Sequence, residues 1–186
     1  MHFFAIASPS NTCFAVQTVR QWKGGGAGNR KYGRLQLFRS DSGEELWRIN
    51  HLLSSPNEVF PCDDFQHLVI VHSYIPQRSI EAQPVILFYS GGKLLKSYSL
   101  KDLNFDFGKL IKSVSHANFI EVHRVENAWA WEWPLGSEAA QIQIQTCVPN
   151  PNPHWQGNVF KLSMLDGQNL VFEAKTGDLI RTTHAH

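Results

Sequence analysis

The chain has 186 residues, with 17 Lys and Arg against 16 Asp and Glu and a formal charge of +1. That balance supplies no global field towards nucleic acid or an anionic membrane, so partner choice must be local. The length fits one domain, 1–186, able to bury about 70% of the surface an unfolded chain exposes, and no stretch approaches the ~20 apolar residues of a membrane span.

At the N-terminus, "MHFFAIASPSNT" has too short an apolar run and no basic start for an intact secretory signal. Cys13, Cys62 and Cys147 are odd in number and far apart, without the close pairs of a disulfide framework or a structural zinc site. Both features favour a cytoplasmic protein with unpaired thiols. An exported protein whose signal has been removed is the alternative.

Taken in chain order, the predicted elements are mostly strands. Apolar and polar residues alternate at Cys13–Val19, Arg34–Arg39, His67–Tyr74, Pro84–Ser90, Gln141–Thr146 and Asn169–Ala174, each bounded by Gly, Pro, Asn, Asp or Ser. Between the first two lie Gly24, Gly25, Gly26 and Gly28, with Lys23, Arg30 and Lys31. A phosphate loop would set such glycines between a buried strand and a helix N-terminus and add a lysine and a hydroxyl at fixed offsets. Here "YGRLQLF" follows, which reads as a strand. The segment is therefore read as a flexible connection, and Lys23, Arg30 and Lys31 as a candidate docking patch for an acidic partner.

One segment departs from this rhythm. Leu100, Leu103, Phe107, Leu110, Ile111 and Val114 recur at helical spacing after Ser99. The spacing predicts one short helix or two pieces, with Ser99 as N-cap, Asp102 as its first-turn acid, and Asn104 and Gly108 weakening the middle.

Further on, Trp129, Trp131 and Trp133 fall at period two in "NAWAWEWPL". Two readings stand. With Glu132 on the wet side, the three indoles form the buried face of a hairpin with Ile142 and Ile144, each removing roughly 150–250 Å² from water. Exposed, they form a stacking platform for sugars, which Trp155 in "PNPNPHW" would extend.

A glycine hairpin recurs: "LFRSDSGEELWRI" from Leu37, "LFYSGGKLLKSY" from Leu87 and "VFEAKTGDLIRT" from Val171. In each an aliphatic residue stands three places after the turn glycine: Leu46 after Gly43, Leu95 after Gly92, Ile180 after Gly177. A degenerate copy is centred on Gly136, giving glycine spacings of 49, 44 and 41. Polar turns in "SPSNTCFAVQ", "PCDDFQHLVIVH" and "SMLDGQNLVF" precede the three clear copies, for an order of turn, strand, strand, glycine turn, strand. This pattern resembles β-propeller repeats over most of the chain, without a recurrent Trp-Asp dipeptide. With "KSYSLKDL" at Lys96–Leu103 it also resembles a pattern of Asp turns and glycine hairpins in uncharacterised bacterial proteins, a likeness that carries no activity.

Catalytic signatures are missing. Cys62 has Asp63 and Asp64 beside it, and carboxylates raise a thiol pKa instead of activating it; the two acids are read as turn residues. His67 and His72 fall on opposite faces of a strand, and His184 and His186 at a terminus, so no metal site is predicted. A carboxylate pair drawn from Glu44, Asp64 and Glu132 is the only hydrolytic option. The expectation is an all-β protein with one short helix, built of propeller-like stacked meanders, with a sandwich or open barrel as alternative. Its function is read as non-enzymatic binding or scaffolding, through a protein partner or as a subunit of a larger complex, without cofactor or nucleic acid. Contacts are expected at loops Gln21–Gly33, Pro76–Gln83 and Pro149–Gln156; the alternative is carbohydrate binding through the tryptophans.

Overall fold

The computed structural model describes residues 2–19, 33–52, 58–72, 75–76, 80–113, 116–120, 129–133, 140–145 and 154–184. The first sheet carries the meander β1 (His2–Ala7), β2 (Cys13–Val19), β3 (Gly33–Arg39) and β4 (Glu45–Leu52). The second is β5 (Glu58–Pro61), β6 (His67–Val71), β8 (Pro84–Ser90) and β9 (Lys93–Ser99), with β7 (Ile75–Pro76) leaving to a small sheet beside β10 (Ile111–Lys112) and β11 (His116–Asn118). The third is β14 (His154–Gln156), β15 (Val159–Ser163), β16 (Gln168–Glu173) and β17 (Leu179–His184). β12 (Trp129–Trp133) and β13 (Ala140–Gln145) extend the first sheet, β13 running parallel to β1.

The middle meander explains the stacking. In β6, "HLVIV", residues 68 to 71 are all buried. Alternation sends Leu68 and Ile70 into a core shared with Cys13, Ala15, Leu35, Leu37 and Ile49 of the first sheet. Val69 and Val71 enter a second core with Phe160, Leu162, Leu170 and Phe172 of the third. A strand wetted on neither face reads as a continuous apolar run, as this one does. The fold is thus all-β, with meanders side by side in propeller-like fashion rather than as a two-layer sandwich. Neither core contains residues of both the first and third meanders, so the described stack is not closed.

The hairpins are equivalent in detail. Gly43, Gly92 and Gly177 all have positive φ, at +68°, +78° and +72°, the conformation glycine adopts without steric cost. Past each glycine the ladder slips by one residue. Leu37 pairs with Trp47 and Phe38 with Glu45; Phe88 with Lys96 and Tyr89 with Leu94; Val171 with Arg181 and Phe172 with Leu179. The residue passed over is Leu46, Leu95 or Ile180, so the recurrent aliphatic is a β-bulge residue in all three copies.

One expectation needs correction, and another is met in its shortest form. In the third meander the polar turn at Met164–Gln168 joins β15 directly to β16, so one strand, not two, separates it from the glycine turn. The helical pattern after Ser99 gives only one turn and a 3-10 turn at Phe107–Lys109. The Asp102 carboxylate accepts from the Ser99 N–H (2.8 Å) and hydroxyl (2.7 Å), and the Asp102 N–H donates to Ser99 Oγ (3.2 Å), as a capping box should. Asn104 then enters the left-handed region at φ +52°. Its N–H donates to the Lys101 carbonyl, and that of Phe105 to Leu100, the bonds of a helix C-terminus. Start and stop signals stand one turn apart, and burial of Leu100 and Phe105 in the same core holds both in place.

Candidate interaction surface

The meanders are joined by their turns. Gly92 packs onto the first sheet, where a Cβ would lie 2.7 Å from the Arg48 carbonyl oxygen and 3.5 Å from Trp47 Cε3. Gly177 packs onto the second, where a Cβ would lie 2.9 Å from Phe88 Cβ and 3.2 Å from Lys96 Cβ. Trp47 and Lys96 occupy the same place, four residues after their own glycines. Tyr98 strengthens the second junction, its hydroxyl donating to the Gly177 carbonyl (2.9 Å) and accepting from the Leu179 N–H (3.0 Å). Lys96 forms an ion pair with Asp178, which raises the lysine pKa and lowers that of the acid.

Polar turns at the same end, beside the glycine turns, add to the joint between the first and second meanders; the Ser40 N–H donates to the Thr12 carbonyl and the Gly91 N–H to the Gln66 carbonyl. Asp63 Oδ1 accepts from the Ser10 N–H (3.0 Å) and Thr12 hydroxyl (3.3 Å), tying the first meander to the second. Asp64 accepts from the N–H groups of Gln66 and His67 and bonds the His67 ring. Burial pushes the Asp64 pKa up, but the hydrogen bonds from His67 and Gln66 prevail and hold it below its ordinary value. Both acids are the turn residues expected. Cys62 is pushed up to about 11 by burial, and its neighbouring carboxylates push the same way against backbone hydrogen bonds, so it stays a thiol. Cys13 and Cys62 are both free.

Exposed apolar surface lies on the outer strands. Leu94 is 52%, Leu95 42%, Ile111 60% and Ile180 56% exposed. Sequence reasoning placed Leu95 and Ile180 on apolar strands without distinguishing their surroundings. Bulging turns them outward, whereas Leu46, their counterpart, packs on the first core.

The other candidates are dispersed. Trp129, Trp131 and Trp133 lie on β12, the terminal strand of its sheet, opposite Ile144, Ile142 and Ala140; their side chains are outside the described residues, as are Lys23, Arg30, Lys31, the glycine cluster, Gly136, Cys147 and His186. Trp155 is 8% exposed, its ring against Phe160 and its Nε1–H donating to the Phe60 carbonyl at 3.0 Å, which places it in the core. His72 is buried and its pKa is pushed down to about 4. His184 ends β17 opposite Gln168. Among the described residues no three His, Cys, Asp or Glu are grouped to hold a metal ion, and no helix is long and apolar enough to cross a membrane.

Comparison with protein-family models and with curated proteins returned no match. Among solved structures, the chain is similar to one described as "Structure of Dos1 propeller", at 10% identity and a TM-score of 0.48. The alignment covers 99% of this chain and 34% of that one, so this chain spans about a third of its length.

Proposed function

We propose that this protein is a non-enzymatic binding or scaffolding domain, formed by 1–186 as one unit, that docks a protein partner through its outer strands. The observation that carries the proposal is the bulge position. The same aliphatic residue faces solvent in two successive meanders, where burial elsewhere in the chain would be the cheaper arrangement. Of the groups considered for catalysis, Asp64 accepts the backbone N–H groups of its own turn and Cys62 is a buried thiol. The test is affinity capture from the source cell with the native protein and with Leu94→Ser/Leu95→Ser. A reproducible partner lost from the variant, whose melting temperature stays near that of the native protein, is expected. An unchanged partner set, or turnover in a broad substrate screen, overturns the reading.

A second reading, carbohydrate binding by Trp129, Trp131 and Trp133, draws support from the place of β12 at the edge of its sheet among the described residues. It predicts glycan-array signals abolished by Trp131→Ala. Silence of the native protein removes it.

A further inference from the structure

The junction between meanders is directional, and its two ends have been left complementary. Each hairpin glycine after the first packs beside the residue just beyond the bulge of the preceding meander: Gly92 lies against the Arg48 carbonyl with Trp47 next to it, and Gly177 against Phe88 with Lys96 next to it. The first glycine, Gly43, has open space around it, with nothing within 4 Å of a Cβ built there. At the other end, Arg181 stands just beyond the third bulge, exposed, at the position equivalent to Trp47 and Lys96.

Chemistry at the two ends matches the junction already formed. In the second-to-third contact a cation, Lys96, meets the acid that follows the incoming glycine, Asp178. At the two ends that no hairpin covers among the described residues, Arg181 is the cation and Glu44, directly after Gly43, is the acid. Glu44 has 67% of its side chain exposed and only a loose contact, 3.8 Å, to Arg39. Lys161 and Arg181 flank Val171 in one cross-strand row, so the receiving face has two cations where the second meander has Val69 and Lys96 around Phe88. The Gly43 hairpin, Ser40 to Glu45, carries Asp41, Glu44 and Glu45. It is more acidic than the Gly177 hairpin, Ala174 to Leu179, whose charges are Lys175 and Asp178.

We infer that the third meander of one copy receives the Gly43 hairpin of a second copy, with Glu44 paired to Arg181 as Asp178 is to Lys96. The contact is heterologous, joining different surfaces of the two copies, and it propagates head to tail until a ring closes. A second copy is the occupant because the chain itself carries both halves of a glycine contact it already makes twice, once with an ion pair, while among the described residues its own first and third meanders sit in separate cores on either side of the second. The contact is independent of the partner reading above, since Leu94→Ser/Leu95→Ser leaves Glu44 and Arg181 in place.

Charge exchange tests it. The native protein, Glu44→Arg and Arg181→Glu are followed by sedimentation velocity over rising concentration, alone and as an equimolar mixture of the two variants. The native mass is expected to rise above the 21.1 kDa of one chain. Each variant alone should associate at least about tenfold more weakly, and the mixture should recover, because the charges exchanged by Glu44→Arg on one copy and Arg181→Glu on the other again attract. A native protein that stays monomeric up to about 1 mM, or association indifferent to both substitutions, overturns the inference. So does a mixture that stays monomeric while the double variant regains native stability, the signature of closure within one chain.

Discussion

Gly43, Gly92 and Gly177 share one backbone conformation but not one environment. Alanine at 43 meets only the left-handed strain, about 1 kcal/mol. At 92 and 177 its Cβ adds a clash, at 2.7 Å with a carbonyl oxygen and 2.9 Å with Phe88, raising the loss to roughly 2–4 kcal/mol. Denaturant unfolding should therefore rank Gly43→Ala well above the other two in stability, and equal losses would deny the close approach. His72 sets a second expectation. Burial pushes its pKa down to about 4, against about 6.5 in an unfolded chain. Between those values the unfolded chain holds a proton that the fold refuses. Stability is therefore full above pH 6.5 and falls as pH drops towards 4, by about 3 kcal/mol in all. Unfolding measured from pH 7 to 4.5 should show this slope and lose it in His72→Gln.

At the scale of an element, the segment after Ser99 shows how far a local signal reaches. Its capping box forms and its apolar spacing is genuine, but Asn104 ends the helix where hydrogen bonding has closed a single turn. Asp102→Ala should lower stability by about 1 kcal/mol, whereas Asn104→Gly, which keeps the left-handed conformation accessible, should leave it within about 0.5 kcal/mol. Chemical denaturation with the two variants checks both. The slipped ladder past each hairpin glycine belongs to the same scale. Bulging is what makes Leu95 and Ile180 outward-facing although they sit in apolar strands.

For the whole molecule, the second sheet is the decisive element, because it contributes to both cores and has little of its own to bury without its neighbours. A stack so coupled should unfold as one unit. Calorimetry is expected to give a single transition whose calorimetric and van't Hoff enthalpies agree. Two resolved transitions would show that the first meander folds apart from the rest, and the one-domain proposal would fall.

Strand positions and hairpins were legible in the sequence because they are local: alternation and positive-φ turn residues act over a few positions, and Pro84–Ser90 and Cys13–Val19 came out with their bounds. The equivalence of the three glycine turns was legible for the same reason. What tertiary structure alone decided is non-local. The parallel pairing of β1 with β13 joins residues far apart in the chain, and the core position of Trp155 depends on Phe60 and Phe160. Above all, the sequence pattern makes the three hairpins look alike, and only the packing of one meander on the next distinguishes the two whose glycines are covered from the one left open. Periodicity records which face of a strand is apolar; what comes to rest against that face is set by the fold of the whole chain.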